Sequence, residues 1–283
     1  MDLIHASDAM SAWTRDRRKT GHTVALVPTM GALHPGHLNL VEAASREADR
    51  VVVSIFVNPT QFGEGEDYDA YPRTLDADVA ALRAQGLAHA VFAPTVEDMY
   101  PIRPNRTWVA VDGLDEWLCG RSRPGHFRGV TTVVSRLFAR VEPDVAVFGM
   151  KDAQQFFILR RMTADFGFPV RLVGVPTVRA ADGLALSSRN AYLTTVERAD
   201  APRLFRSLTA AKKALEAGER RPDRLDASVR DVLGDVDIDY VSIVDTEHLQ
   251  PLEALVSGQE IMVALAVRFG AARLIDNVVV EVP

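Results

Sequence analysis

A short apolar segment runs straight into an amphipathic one through the stretch Val27-Pro28-Thr29-Met30-Gly31-Ala32-Leu33-His34-Pro35-Gly36-His37. Residues 23–27 are apolar and β-branched enough for a buried strand, and from Pro35 onward apolar residues recur at helical spacing. Proline is favoured at the first helical position, because its φ is already helical and the N–H that it lacks would have no partner there. We therefore predict a strand, a glycine-bearing turn and a helix that begins at or just before Pro35.

Two histidines, His34 and His37, stand three residues apart at this predicted helix start. Helix N-termini carry unpaired N–H groups and the positive end of the helix dipole, so they attract anions, and phosphates above all. Gly36 has no side chain and lets a ligand lie against the backbone. We favour phosphate binding here. A metal site is the first alternative, but it needs more ligands than two imidazoles and no cysteine is near; two structural histidines are the second.

Strands and helices are predicted to alternate along residues 8–175, which is typical of a parallel sheet. Predicted strands lie at 23–27, 51–57, 90–93, 144–148 and 170–175, and predicted helices at 8–19, 35–48, 76–85, 130–140 and 152–166. The first strand, helix and strand form a βαβ unit, which is right-handed by default. The fold class is therefore α/β, with a doubly wound parallel sheet.

The alternation ends after Val175. A turn around Asp182-Gly183 is followed by a long predicted helix, 196–217, whose stripe of apolar residues is Leu204, Leu208, Ala211 and Leu215. Three more strands are predicted near 238–244, 261–268 and 274–280. This order predicts a smaller α+β domain at the C-terminal end, with the domain boundary near residues 176–182.

Composition narrows the class of protein. The 283 residues are 47% hydrophobic and 25% charged, as in an ordinary globular protein. The apolar runs are far shorter than the ~20 residues of a membrane helix, and no signal peptide is visible. Cys119 is the only cysteine, which excludes an internal disulfide and suits a reducing cytoplasm.

Charge and missing motifs exclude other classes of protein. A formal net charge of −6 argues against a sequence-independent nucleic-acid binder. The absence of a P-loop motif disfavours a P-loop kinase, and the absence of a nucleophile elbow disfavours a hydrolase.

Polar residues follow two other predicted strands, at the edge where ligands bind in such sheets. Asn58 and Gln61 carry amides that hold a polar group without adding charge, although a polar turn is the simpler alternative. Lys151 would meet a phosphate as a point charge. Asp152 would accept from a ribose hydroxyl or cap the next helix, and the two roles are compatible.

Three other segments carry charge or hydroxyl groups. Ser187-Ser188-Arg189 is either a phosphate clamp or an ordinary hairpin exit. The acidic residues 64–67 are predicted to form a solvated loop in preference to a metal site. The loop 121–128 is rich in donors and leaves two alternatives open, anion recruitment and a subunit contact; its basic residues are Arg121, Arg123, His126 and Arg128.

Four sequence blocks together resemble the family of pantothenate synthetases, also called pantoate-β-alanine ligases. The blocks are Pro28-Thr29-Met30-Gly31 to His34 with Gly36-His37; Asn58-Pro59-x-Gln61-Phe62 with Tyr71-Pro72-Arg73; Phe148-Gly149-x-Lys151-Asp152-x-Gln154-Gln155; and Ser187-Ser188-Arg189-Asn190. They occur in the family's order, and the resemblance covers essentially the whole chain. The His-x-Gly-His element alone marks only a wider superfamily of nucleotidyltransferases and class I aminoacyl-tRNA synthetases.

The resemblance implies a homodimeric cytoplasmic enzyme that makes pantothenate from pantoate and β-alanine. ATP is converted to AMP and pyrophosphate through a pantoyl adenylate, with Mg²⁺ expected on the phosphate oxygens and no protein ligand for it. The implied architecture is a Rossmann-like domain, residues 1–176, that binds ATP and pantoate, and a C-terminal lid domain, residues 177–283. Neither a nucleic acid nor a membrane is an expected partner.

The resemblance also implies roles for individual residues. The catalytic groups that offset phosphate charge are His34, His37, Lys151, Ser188 and Arg189, with His37 as the proton donor. The expected ATP-site residues are Met30, Gly31, Ala32, Leu33, His34, Pro35, Gly36, His37, Gly149, Met150, Lys151, Asp152, Val178, Leu186, Ser187, Ser188 and Arg189. Gln61 and Gln155 are expected to hold pantoate, and Gln61 also to face β-alanine.

Two positions depart from the family's pattern. Cys119 precedes Gly120 where some members carry Glu, and Leu186 stands where others carry Met. Neither position supplies phosphate chemistry. Thiol catalysis by Cys119 is not expected either, because its neighbours in sequence include no basic partner.

Two rival hypotheses compete with the ligase. A nucleotidyltransferase acting on a small phosphorylated substrate would form a stable nucleotide-linked product and use no amine. A nucleotide-binding regulatory protein would keep the pocket without turnover. The presence of His34, His37 and Lys151 counts against the regulatory protein, because binding alone would tolerate their loss.

Overall fold

The computed structural model describes residues 1–283, and the chain forms two compact units. The first unit consists of Met1–Val111, Arg123–Met150 and Ile158–Pro176. The second unit consists of Asp112–Ser122, Lys151–Phe157 and Thr177–Pro283. By its contacts, Lys151 therefore belongs with the C-terminal part of the chain. The assignment of the two domains to ATP binding and to a lid stays a prediction.

Strands and helices alternate over the first 176 residues. They are β1 (Asp2–Ile4), α1 (Ser7–Lys19), β2 (Val24–Thr29), α2 (Pro35–Glu47), β3 (Arg50–Ile55), α3 (Leu75–Gln85), β4 (Ala90–Phe92), α4 (Val96–Met99), α5 (Leu118–Ser122), α6 (His126–Val141), β5 (Val145–Gly149), α7 (Ala153–Phe166) and β6 (Arg171–Val175). Short 3₁₀ turns lie at Pro59–Gln61 and Met150–Asp152. The predicted elements of this part are confirmed, with each end within four residues of its predicted position.

Six parallel strands form the sheet of the first unit, in the order β1-β4-β3-β2-β5-β6. The chain leaves β2 toward β3 and β4 on one side and later returns to its other side as β5 and β6. Ligands bind outside the carboxyl ends of parallel strands where the strand order reverses in this way. The doubly wound parallel sheet is confirmed, and its topology selects the segments that follow β2 and β5.

The central strands are buried on both faces. Val24, Ala25, Leu26 and Val27 of β2 have no exposed surface. Because successive side chains of a strand point to opposite faces, this run means that both faces of the sheet are covered. Helices α2 and α3 cover one of them through Val41, Ala44, Val79 and Leu82.

The second unit contains a three-stranded antiparallel sheet with helices packed on it. Its elements from residue 177 onward are a 3₁₀ helix (Ser188–Tyr192), α8 (Thr195–Asp200), α9 (Arg203–Glu216), α10 (Pro222–Leu233), β7 (Asp237–Asp245), β8 (Glu260–Phe269) and β9 (Ala272–Glu281). The predicted apolar stripe of Leu204, Leu208, Ala211 and Leu215 on α9 is fully buried in the core of this unit. The α+β architecture of the C-terminal part is therefore confirmed.

Three details differ from the sequence-based prediction or complete it. The helix expected at 196–217 is broken between α8 and α9, because Pro202 has no N–H to continue the ladder. Helix α6 begins at His126 after Gly125, whose φ of 81° suits a glycine, so His126 and Arg128 lie on a helix and not in a loop. None of the helices combines the length and the apolar character that crossing a membrane requires.

Candidate functional site

A buried carboxylate holds the turn that follows β2. Asp78 of α3 accepts hydrogen bonds from the backbone N–H groups of Ala32, at 3.0 Å, and Leu33, at 2.8 Å. Gly31 has a φ of 83°, and a Cβ there would lie 2.9 Å from the Oδ2 atom of Asp78. Position 31 therefore needs glycine for its conformation and for space. The conformation of the turn is thus fixed by the carboxylate of Asp78 and by Gly31, before any ligand arrives.

Asp78 is a site-shaping residue that the sequence analysis missed. It lies on α3 among Leu75, Val79 and Leu82, at the spacing of a buried helical stripe. A charged residue is almost never buried without partners. An aspartate on an apolar stripe was thus the available signal that this helix holds something polar.

His34 and His37 lie together at the start of α2, which begins at Pro35 as predicted. The ring centroids are 4.0 Å apart. The N–H of Gly36 donates to Nδ1 of His34 at 3.1 Å, and the N–H of His34 donates to Nδ1 of His37 at 3.3 Å. Because each Nδ1 accepts, a neutral ring carries its hydrogen on Nε2. Both imidazoles are thereby oriented by the backbone.

The first-turn N–H groups of α2 have partners within the chain. The N–H groups of His37 and Leu38 donate to the carbonyl oxygen of His34 at 2.8 and 3.2 Å, and that of Gly36 is engaged by the His34 ring. Pro35 has none. The sequence-based expectation of open backbone donors is therefore wrong in detail. The helix end instead orients and polarises two imidazoles through their Nδ1 atoms.

Gln61 lies against the turn that follows β2. It ends the 3₁₀ turn Pro59–Gln61 after β3, where the Nδ2 of Asn58 donates to its Oε1 at 3.0 Å. Its own Nε2 lies 3.1 Å from the Sδ of Met30. The structure thus brings together residues from the first two sequence blocks, as the parallel sheet predicted.

Helix α6 packs directly on the backbone that carries Gln61. A Cβ at Gly129 would lie 2.2 Å from the carbonyl oxygen of Thr60, so only glycine allows this approach. Asn58 donates to the carbonyl oxygen of Gly129 at 3.2 Å. The backbone of the Gln61 turn is therefore fixed by close packing as well as by hydrogen bonds.

Arg123 and His126 hold the same turn from another side. His126 Nδ1 lies 2.8 Å from the carbonyl oxygen of Gln61, and Arg123 pairs with Glu66 through two hydrogen bonds of 2.7 and 2.6 Å. The hydrogen bond from Arg123 lowers the pKa of Glu66 to about 2. Glu64 and Gly65 are exposed, as expected of a solvated loop, whereas Glu66 is half-buried and forms an internal ion pair with Arg123.

In the second unit, Lys151 lies in the 3₁₀ turn Met150–Asp152 that precedes α7. Helix α7 therefore begins at Ala153, one residue after the predicted start at Asp152, and the 3₁₀ turn leads into it. The carbonyl oxygen of Lys151 accepts from Nδ2 of Asn277 on β9 at 2.9 Å, and its Nζ lies 3.7 Å from Oδ1 of Asp152. The lysine backbone is held by a strand of the second unit.

The two glutamines that follow Lys151 have different environments. Gln154 is buried and bonds three backbone groups, those of Leu114, Trp117 and Cys119, at 2.9–3.0 Å. Gln155, the residue expected at pantoate, is half-buried. Gln154 is therefore a structural residue, whereas Gln155 keeps surface for a ligand.

The predicted turn around Asp182-Gly183 is a hairpin. Leu186 donates to the carbonyl oxygen of Val178 at 2.9 Å, and Arg179 is bridged to Ala185. The hairpin leads into Ser187, whose Oγ accepts from the N–H of Arg189 at 3.3 Å as the 3₁₀ helix Ser188–Tyr192 begins. Ser188 and Arg189 are thus set by a capped turn directly after the hairpin.

Cys119 has a basic partner in space, although not in sequence. Its Sγ lies 3.3 Å from the hydroxyl of Tyr240 and 3.5 Å from Nη1 of Arg273. The thiol is buried, and burial raises the pKa of Tyr240 well above its usual value. The neighbours of Cys119 in sequence could not show this partner, because Arg273 lies on β9, 154 positions away.

No cluster of three or more His, Cys, Asp or Glu side chains in the chain is arranged to hold a metal ion. The side chains expected to meet the phosphates are two imidazoles, a hydroxyl and two cations. These groups donate hydrogen bonds to anions more readily than they coordinate a hard divalent cation, which prefers oxygen ligands.

Comparison with known proteins gives the same family throughout the chain. The profile of the family described as pantoate-beta-alanine ligase matches residues 2–279. A pantothenate synthetase of Salinibacter ruber is 52% identical over 292 aligned positions, which cover 100% of this chain and 99% of the relative. One of Heliobacterium modesticaldum is 53% identical, and all of each chain is covered.

Solved structures agree with the sequence matches. A pantothenate synthetase of Thermus thermophilus superposes with a TM-score of 0.90 at 46% identity, covering 98% of this chain and 99% of the other. A pantoate-beta-alanine ligase of Francisella tularensis, described as a complex with beta-gamma ATP and beta-alanine, superposes with a TM-score of 0.79 at 31% identity, covering 98% and 97%.

Proposed function

The chain belongs to the pantoate-β-alanine ligase family, and we propose that it condenses pantoate with β-alanine to pantothenate. ATP is consumed as AMP and pyrophosphate, and a pantoyl adenylate is the intermediate. The observation that carries this proposal is the pair of stacked imidazoles at the start of α2, oriented through their Nδ1 atoms at the end of a central strand.

In the first step, the carboxylate of pantoate attacks the α-phosphorus of ATP. A bond forms from a carboxylate oxygen to phosphorus, and the bond from phosphorus to the pyrophosphate oxygen breaks. Two anions must approach each other, so preorganised donors have to offset the charge that develops on the phosphates. The Nε2–H groups of His34 and His37 are such donors, and His37, the expected proton donor, directs its Nε2–H hydrogen bond at the leaving pyrophosphate.

Cationic and hydroxyl groups of the second unit bind the phosphates. Lys151 supplies a point charge, Arg189 a planar fork of N–H donors and Ser188 a hydroxyl. The rest of the nucleotide lies against backbone and small side chains of the ATP-site residues. These include Gly149, Met150, Asp152, Val178, Leu186 and Ser187 in addition to the segment Met30 to His37.

Two amides recognise the acid substrate without adding charge near the phosphates. Gln61 and Gln155 hold pantoate, and Gln61 also faces β-alanine. In the second step, the amine of β-alanine attacks the acyl carbon, the bond to AMP breaks, and the nitrogen loses a proton. Water must be kept away from the adenylate during this step.

Mg²⁺ completes the proposed reaction as an ion carried by the phosphate oxygens of ATP. The donor groups of the site fit a magnesium–nucleotide complex, and the chain itself offers no carboxylate cluster for the ion. When bound, the ion would lower the negative charge of the phosphates. A homodimer in the cytoplasm is the expected assembly and location.

Exchange of labelled pyrophosphate into ATP tests the proposal. With Mg²⁺ and pantoate but without β-alanine, we expect exchange, because the first step is then reversible and isolated. Adding β-alanine should consume the pantoyl adenylate, which stops the exchange and releases AMP. Protein that binds ATP but shows no pantoate-dependent exchange would contradict the ligase proposal and favour a nucleotidyltransferase acting on a phosphorylated substrate.

A further inference from the structure

Two consecutive polar residues interrupt the apolar strand β9. Asp276 and Asn277 are both buried, whereas Leu274 before them belongs to the hydrophobic core of the second unit and Val278 after them packs against it. Side chains of consecutive strand residues point to opposite faces of a sheet. The pair therefore reaches two different parts of the second unit from one place in the strand.

Asn277 reaches the lysine turn. Its Nδ2 donates to the carbonyl oxygen of Lys151 at 2.9 Å. Its backbone N–H donates to Oδ1 of Asp276 at 2.8 Å, so the two neighbours are also bonded to each other. A displacement of β9 at this point would move the backbone of Lys151 with it.

Asp276 reaches the hairpin. Its two carboxylate oxygens accept from Nη1 and Nη2 of Arg179 at 2.6 and 2.9 Å, the bidentate geometry that fixes both partners. The same Nη1 donates to the carbonyl oxygen of Gly183 at 3.1 Å, on the other side of the turn. One guanidinium thus joins β9 to both arms of the hairpin.

The aromatic ring of Phe205 closes this arrangement. The Arg179 guanidinium carbon lies 3.9 Å from the ring centroid, and a Cβ at Gly183 would lie only 2.5 Å from the ring. The cation is therefore held between a carboxylate and an aromatic face, and the hairpin packs without a side chain at its tip. Little freedom remains for the hairpin to shift along β9.

We propose that Asp276 and Asn277 are positioning residues that hold the Lys151 turn and the hairpin before Ser187–Arg189 at a fixed separation. The proposal rests on the proposed function, in which both segments bind the phosphates of ATP. A cation and a hydroxyl stabilise a developing charge only when held within about half an ångström of the productive geometry. Neither Asp276 nor Asn277 touches the reacting atoms.

Asn277→Ala is the first test, because it removes the bond to Lys151 and leaves the Asp276–Arg179 ion pair in place. We expect kcat for pantoate-dependent pyrophosphate exchange to fall about tenfold, as for a small misplacement of a catalytic group, with KM for pantoate unchanged. Asn105→Ala is the matched control. It removes an amide bond of the first unit, to the carbonyl oxygen of Thr107 at 3.1 Å, together with the oxygen that accepts from Nη2 of Arg136 at 2.9 Å.

Asp276→Asn is the second test, since it keeps the shape and weakens the bidentate pair. We expect a similar loss in kcat. Asp239→Asn is its control, because Asp239 also pairs with an arginine of β9, Arg273, at 2.7 Å but holds Ser122 of α5 and not the hairpin. If Asp276→Asn does not fold, Asn277→Ala decides alone.

Amide hydrogen exchange without any ligand separates positioning from general stability. We expect faster exchange at residues 150–153 in Asn277→Ala and at residues 178–190 in Asp276→Asn, with β7 and β8 unchanged. Uniformly faster exchange across the second unit, or no local change, would overturn the proposal. So would normal kcat in both folded variants. An inactive wild type would refute the proposed function instead, and the local exchange pattern would still decide whether these residues fix the two segments.

Discussion

Asp78 and Asp276 are both buried aspartates that hold a segment expected at ATP, but they do so by different means. Asp78 accepts directly from two backbone N–H groups of the turn after β2. Asp276 acts through Arg179, whose guanidinium then binds the hairpin. The first turn is therefore held by one side chain that bonds directly to its backbone, and the hairpin by two side chains in series.

This difference indicates how firmly each segment is held before a ligand binds. A direct bond from a buried carboxylate to the backbone has no long side chain to reorder, and the loss of a hydrogen bond to a charged group costs about 1.5–3 kcal/mol. A contact made through the long side chain of Arg179 depends on several side-chain torsions, which must all be ordered. We therefore expect substitution of Asp78 to lower activity more than substitution of Asp276.

The largest effect is expected when either set of charge-stabilising groups is removed. His37→Ala in the first unit and Lys151→Ala in the second should each lower kcat/KM by about 10²-fold or more, as for loss of a transition-state donor. AMP release measures both. Exposed His248→Ala and Lys212→Ala are the matched controls. Wild-type rates in one of the two variants would remove that residue from the mechanism.

A smaller loss is expected from changes at the turn after β2. Gly31→Ala should lower kcat/KM by roughly tenfold, because the added Cβ would press on Asp78 and break the geometry of both N–H bonds. Gly21→Ala is a close control: Gly21 has a φ of 81°, but a Cβ there meets nothing within 4 Å. Equal activity of the two variants would contradict the role that we give to the contact between position 31 and Asp78.

The neighbouring glutamines should separate binding from stability. Gln155→Ala should raise KM for pantoate by about tenfold and leave KM for ATP unchanged, as for loss of one substrate hydrogen bond of about 1.5 kcal/mol. Gln154→Ala should instead lower the free energy of unfolding, because three backbone groups lose their partner. A changed KM for ATP with normal KM for pantoate in Gln155→Ala would contradict the assignment.

The weakest effect is expected at the ion pair of Glu66 and Arg123, and it depends on pH. The pKa of Glu66 is lowered from 4.5 to about 2 in the folded protein, so its ion pair contributes stability above pH 4.5 and loses it as pH falls toward 2. The melting temperature of Glu66→Gln should therefore lie below that of the wild type near neutral pH. The difference should shrink below pH 4.5. A difference independent of pH would mean that the charge contributes nothing.

Local patterns in the sequence were enough to predict most of the helices and strands and the parallel sheet. Pro35 marked the start of α2, and the alternation of strands and helices was enough for the parallel sheet, because period and proline geometry are local properties. Pro202 carried the signal for the break between α8 and α9, but the continuous apolar stripe on α9 masked it.

The residues that hold the site could not be predicted in the same way. Asp78 bonds to Ala32, 46 positions away, and Arg179 to Asp276, 97 positions away. A sequence shows that a residue is charged, but the identity of its partner depends on how the chain folds. For the same reason, Arg123 was open to two interpretations until its pair with Glu66 was seen.

The reaction itself is tested by following an oxygen atom. Pantoate with heavy oxygen in its carboxylate is incubated with ATP, Mg²⁺ and β-alanine, and the AMP formed is analysed by mass spectrometry. If pantoate is activated as an adenylate, one labelled oxygen passes from each carboxylate to AMP, because the acyl–oxygen bond is the one that breaks. AMP without label, formed together with pantothenate, would contradict the adenylate route.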